Sequence, residues 1–271
     1  MTTGHPSGRT LYRALVLRAR REGFAAIFAY PLLVTGFVTV AMGFAATHPD
    51  MANVPPIPPG GVFGLHVQDV RVALGLLLAP AVLVMGTCIG GGRCVQSLIG
   101  AQATSGEFET WLGSGLTLRD VVGAVLGLIA TAVVAIWVVV SILVGAVLLW
   151  ARAALDPAAS LPALYWVMLL AVPLTLGLSG ATLAVALAFA RPRLLQPAER
   201  GMMHGTGNAV GSIAALPGIA VMVLFIFGAS QGMSVLALIA AAAAVVVLLL
   251  AAGLVVALRF TSTEGFVSSL S

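Results

Sequence analysis

The stretch Gly177-Leu178-Ser179-Gly180 places a serine among small residues inside a long apolar run. A serine becomes a nucleophile only with a general base within hydrogen-bond reach. The four histidines, His5, His48, His66 and His204, all fall in loops or tails. They show no metal-ligand spacing, and no HExxH pattern is present. Glu107 and Glu109 lie two residues apart, which on a helix turns them about 200° from each other. They make a poor acid–base pair and a poor metal site, and both read as solvated charge. Cys88 and Cys94 have no histidine or further cysteine nearby, so they read as small packing residues rather than metal ligands. All thirteen basic residues are arginine. A P-loop needs a lysine to reach the nucleotide phosphates, so the chain does not hydrolyse ATP by that route alone. These residues predict a chain that is not an enzyme, with no metal and no cofactor of its own.

The elements that would position them are almost all apolar. The chain is 60% hydrophobic and 8% charged, against about 25% charged in a soluble domain. About 20 apolar residues cross a bilayer as a helix. Six runs qualify: Phe24 to Ala46, Val72 to Gly92, Val121 to Trp150, Ala163 to Ala190, Ala209 to Phe227 and Met233 to Leu258. Pro31 is placed to kink the first, and Gly90-Gly91-Gly92 to loosen the end of the second. Thr47 to Gln68, with Pro49, Pro55, Pro56, Pro58 and Pro59, reads as a loop. The fold class is therefore an all-α integral membrane protein. Residues 1–23 precede the six-helix domain at 24–258, and 259–271 form a tail.

Arg9 to Glu22 reads as a basic helix lying on the membrane surface, with Arg9, Arg13 and Arg20 on one face and Leu11 and Leu15 on the other. Orientation follows from arginine placement. With the N-terminus inside, the inner segments hold Arg9, Arg13, Arg18, Arg20, Arg21, Arg93, Arg119, Arg191, Arg193, Arg200 and Arg259, and the outer segments hold only Arg71 and Arg152. Both termini are expected in the cytosol of a cell-membrane protein. Trp150, Tyr165 and Trp166 then fall at the outer interface, where aromatic belts occur. No charge sits at the centre of a span, which argues against a proton-driven carrier and for an apolar pathway.

The segment 93–120 is the polar interruption. Within it, Gly106, Phe108, Glu109, Leu112, Ser114, Leu116, Thr117 and Asp120 follow a pattern of glycine, apolar residue, glutamate, leucine, hydroxyl, apolar residue, hydroxyl and acid, and Arg119 takes a position that is often basic. This resembles the cytosolic segment between spans two and three of ABC-2 type permeases, the membrane subunits of many bacterial ABC exporters. Gly115 stands where that pattern usually has proline, and Ala124 follows Gly123 where it usually has lysine. The long outer segment between spans five and six is reduced to Gly228 to Gly232. Gly177 to Gly180 also resembles the serine motif of rhomboid intramembrane proteases, which have a six-helix core. That family carries its histidine on the last core helix, where this chain has none; small residues that let helices pack closely account for the motif as well.

The ABC-2 resemblance implies a permease subunit that moves a drug, natural product or lipid-like molecule. ATP and magnesium would be bound on a separate ATPase subunit. It implies an ATPase-coupling segment, including a coupling helix, that carries Gly106, Phe108, Glu109, Trp111, Leu112, Arg119 and Asp120. Phe108, Trp111 and Leu112 would bury apolar surface against the ATPase, and Glu109, Arg119 and Asp120 would fix register. The expected partners are that ATPase, a second permease copy or paralogue and membrane lipids, with no nucleic acid. A non-transporting membrane scaffold or assembly factor is the alternative.

Overall fold

A computed structural model of the chain describes residues 7–21, the positions 29, 32, 33, 35–37, 39 and 40, residue 67, and residues 69–157, 160–191 and 209–260. Most of the expected first span, including Pro31, lies outside these, as do the four histidines, the loops 47–66 and 192–208, and the tail from 261. The described residues are mostly helical, with α1 Gly8–Arg21, α2 Val70–Thr104, α3 Glu107–Gly113, α4 Leu118–Leu155, α5 Ala163–Ala190, α6 Ala209–Ser230 and α7 Val235–Phe260. Five of these, α2, α4, α5, α6 and α7, are long and apolar enough to cross a membrane, which fits an all-α membrane protein.

An apolar helix must satisfy its own polar groups where no water is available. Several threonine hydroxyls do so by bonding back one turn. Thr87 donates to the Leu83 carbonyl at 2.7 Å, Thr182 to Leu178 at 2.7 Å and Thr175 to Ala171 at 2.8 Å. Thr39 donates to Thr35 in the same way, at 2.6 Å.

The helices gather around two apolar clusters, one at each end of the bundle. Leu11, Ile99, Phe108, Val125, Phe189 and Val210 belong to the end that carries α1. Val72, Leu148, Tyr165, Phe225 and Leu238 belong to the opposite end. Consecutive long helices therefore run antiparallel. The most extensive packing joins α2 to α6, and α5 touches α2, α4, α6 and α7. Small residues set these approaches. A Cβ added at Gly92 would lie 2.5 Å from the Gly211 carbonyl oxygen, and one at Gly180 would lie 2.8 Å from that of Ala214.

This seam explains one departure from the sequence expectation. The triple glycine at 90–92 does not end the second span; α2 continues another twelve residues to Thr104. Gly91 faces α4 and α5 and Gly92 faces α6, so close packing offsets their low helix propensity. Pro80, Pro173 and Pro217 also sit within continuous helices. Arg71 and Arg93 are separated by 22 residues, or about 33 Å of helix, close to the ~30 Å thickness of bilayer hydrocarbon. The last turns of α2 thus project past that depth.

Tyr165 departs from expectation as well. It does not face an interface belt: it is fully buried, and its hydroxyl donates to the Leu76 carbonyl at 2.8 Å. Trp150 is half exposed, whereas Trp166 is partly buried against Tyr165 in an edge contact. α1 is similarly more than a surface-lying helix. Leu11, Leu15 and Ala19, spaced four apart, form a buried stripe against α4, and the Tyr12 and Thr131 hydroxyls hydrogen-bond at 3.0 Å.

Candidate functional site: the α3 turn at one end of the bundle

The polar stretch singled out in the sequence becomes a short helix between two turns. Gly106 adopts φ 70° and ψ 15°, the left-handed region open to glycine, and it reverses the chain between α2 and α3. Gly115 closes the other side at φ 90°. Proline is fixed near −65°, so proline cannot occupy this position in this turn. The backbone here differs from one built around proline.

A seven-residue helix is well below the ~12–15 residues at which isolated helices become marginally stable, so α3 depends on its contacts. Phe108 is the anchor. It is 1% exposed and makes edge contacts with Trp111 and Phe189, each with ring centroids 5.3 Å apart. The expectation that Phe108 buries against a separate subunit does not fit this geometry, because its ring is already used inside the bundle. Trp111 and Leu112 are half-buried against the same cluster. Glu107 is not simply solvated: it forms an ion pair with Arg18 of α1, tying α1 to α3.

Asp120 serves α4. Its carboxylate accepts from the Thr117 backbone N–H at 3.2 Å, and its own N–H donates to the Thr117 hydroxyl at 3.2 Å, a reciprocal cap. Glu109, Thr110, Gly113, Ser114, Gly115 and Arg119 are left exposed. The surface offered at this end is thus an anionic residue and a hydroxyl on α3, a glycine-bounded turn, and the exposed Arg119 on the first turn of α4. The sequence pattern grouped Gly106 to Asp120 as one segment; in the structure it comprises α3, a turn and the first residues of α4. The pattern could not separate the residues that hold the segment from those that face outward. Arg18 and Phe189, its partners on α1 and α5, are remote in sequence, and their only local signals were helical phase and position at a helix end.

The other chemistry-bearing residues are structural. Ser179 is 2% exposed and donates to the Leu176 carbonyl at 3.1 Å. No histidine lies among the described residues. Cys88 and Cys94 are buried free thiols, with Cys88 packed against Gly218 of α6. Among the described residues no three His, Cys, Asp or Glu side chains gather in a way that could hold a metal ion.

At the opposite end Asp69 closes α2. Its carboxylate accepts from the Arg71 N–H at 2.7 Å and binds the Arg71 guanidinium through Nε at 3.0 Å and Nη2 at 2.6 Å. The Arg71 side chain holds the Asp69 carboxyl below its ordinary pKa. The Asp69 N–H donates to Asp156 at 3.3 Å, joining α2 to the end of α4. No family model matches the chain, and no curated protein or solved structure matches it either.

Proposed function

We propose that the chain is the membrane permease subunit of an ATP-driven exporter of the ABC-2 type, working with a separate ATPase. The observation that supports this best is the construction of α3. It is a short helix at one end of a membrane bundle, pinned inward by Phe108 and presenting Glu109 and Thr110 outward. A partner pressing on that outward face would move Phe108 against Phe189 at the end of α5, and through the shared cluster would shift α2 and α4. In this reading Trp111 and Leu112 contribute their half-exposed edges to the partner, and Arg119 adds a cation beside them. Closure of the ATPase pair on ATP would bias the bundle between inward- and outward-facing states.

The same reading has six spans with both termini in the cytosol. α1 lies at the end opposite the start of α2, as a crossing between them requires in this reading. Thr35, from the helical positions between 29 and 40, is buried against Gly86 midway along α2. Placing the arginine-rich end inside satisfies the positive-inside rule. The pathway is apolar, so the cargo is a hydrophobic or amphipathic molecule.

The test is co-purification in mild detergent with an ATPase carrying Walker motifs, followed by reconstitution. Glu109→Ala combined with Leu112→Ala should abolish ATP-dependent transport or break the complex while leaving the permease folded. Normal transport in that double variant would refute the coupling role. A reporter fused after Gln196 should read cytosolic, and an external signal would refute the orientation.

A further inference from the structure

The halves of α4, α5 and α7 nearest α1 enclose a groove of about 720 Å³. α4 and α7 both pack on α5 but form no extensive contact with each other, which leaves the groove between them. Leu126, Leu250 and Leu254 wall it, Ala186 lies along its floor, and Thr182 and Arg119 supply its polar groups. The volume lies within the ~300–1,000 Å³ of sites that hold drug-sized ligands.

Its depth relative to a bilayer follows from α7. With Val235 at one boundary, Leu250 lies 15 residues or about 22 Å along the helix, and Ala257 lies 22 residues or about 33 Å along. A ~30 Å hydrocarbon core ends between them. The groove therefore straddles the boundary, with its leucines in hydrocarbon and Arg119 at headgroup depth. Such a groove in a membrane is filled by a chain, and the charge at its mouth selects the headgroup.

That charge is positive. Arg119 is exposed and also lines an adjoining groove with Arg9, and Arg13, Arg20 and Arg21 are exposed on the same α1. Asp120 lines that adjoining groove too, and its carboxylate, capped by Thr117, stays charged beside Arg119; Glu107 pairs with Arg18, so Arg9 and Arg119 leave the mouth with one positive charge in excess. We infer that the groove is a binding site for one anionic phospholipid, with an acyl chain along Leu126, Leu250 and Leu254 and the phosphate on Arg119. The site does not depend on the transport reading.

The test is native mass spectrometry of the full chain released from nanodiscs of 1:1 phosphatidylglycerol and phosphatidylcholine, and of phosphatidylcholine alone. The wild type should retain one phosphatidylglycerol in clear excess over its share. Near a membrane surface one arginine contributes about 1 kcal/mol toward an anionic lipid, so Arg119→Gln should lower the preference about fivefold, and Arg119→Lys should keep it. Ala186→Phe, which fills the floor, should release both lipid classes. Thermal unfolding alongside confirms that each variant is folded, and Arg119, being exposed, carries the test if Ala186→Phe is not. Equal retention of both lipids by the wild type, or an unchanged preference in Arg119→Gln, overturns the proposal. So does a wild-type dimer that Ala186→Phe converts to monomer, because the groove would then be an interface between copies. No ATPase is present in the assay, so its failure leaves the permease reading standing.

Discussion

Replacing Phe108 with alanine tests how α3 is held. The ring is 1% exposed and touches Trp111 and Phe189 edge-on. Truncating a buried phenylalanine costs about 3–5 kcal/mol, and the aromatic contacts form part of that sum. α3 has no independent stability at seven residues, so the loss should appear as local opening of α3. At 1.4 kcal/mol per decade, 3 kcal/mol raises the open population about a hundredfold. Hydrogen exchange read on a peptide covering 107–115 reports it directly. The relevant amides are Thr110, bonded to the Gly106 carbonyl, Ser114, bonded to Thr110, and Gly115, bonded to Leu112. Their exchange should quicken about a hundredfold in Phe108→Ala, while peptides from the middle of α5 and α6 stay unchanged. The exposed Thr110→Ala should change exchange little by comparison. Two results would overturn the anchoring role of Phe108: wild-type exchange across 107–115 in Phe108→Ala, or a parallel rise throughout the bundle. The first would mean that the ring is not the anchor, and the second that α3 is inseparable from the global core.

Other perturbations bear on the rest of the fold. Gly180→Val drives a side chain into the Ala214 carbonyl, 2.8 Å from the added Cβ, and should lower bundle stability by about 1–3 kcal/mol in detergent melts. Gly145→Ala, with nothing within 4 Å, should be neutral or raise stability by up to about 1 kcal/mol. A double-mutant cycle on Arg18→Ala and Glu107→Gln should return a coupling of about 0.5–1 kcal/mol, because the Arg18 side chain remains 42% exposed; exchange in α1 reads it. Asp69 has a folded pKa below its unfolded value near 3.8. Its stabilising contribution is complete above that value and is lost as pH falls through the lower folded pKa. Melting temperatures between pH 5 and pH 2 should therefore fall less in Asp69→Asn than in wild type, and equal slopes would remove Asp69 as a source of acid sensitivity.

The membrane-crossing helices were legible in the sequence because hydrocarbon burial needs only length and apolarity. The expected span from Ala163 to Ala190 coincides with α5, and the four others that fall on described residues, in α2, α4, α6 and α7, differ from them mainly at their ends. Those ends depend on what lies alongside. α2 runs past Gly90–Gly92 because α5 and α6 pack closely there, and α4 starts three residues early because Thr117 and Asp120 cap it. The capping pair is local and could be read from spacing; the helix contacts could not.

Residue order alone shows a polar stretch at 106–120 interrupting an otherwise apolar chain, with glycine available at both turns. Which side of α3 faces inward follows instead from its packing against α1 and α5. A seven-residue helix contains apolar and charged residues on both counts, and its own periodicity does not say which neighbours it will meet. Phe189 lies 81 positions after Phe108 and Arg18 lies 89 before Glu107. Their meeting depends on how whole helices align across the bundle. That alignment turned one apparent contact residue, Phe108, into an internal anchor and one apparent surface charge, Glu107, into a tether. It left Glu109, Thr110 and Arg119 as the exposed side of the segment.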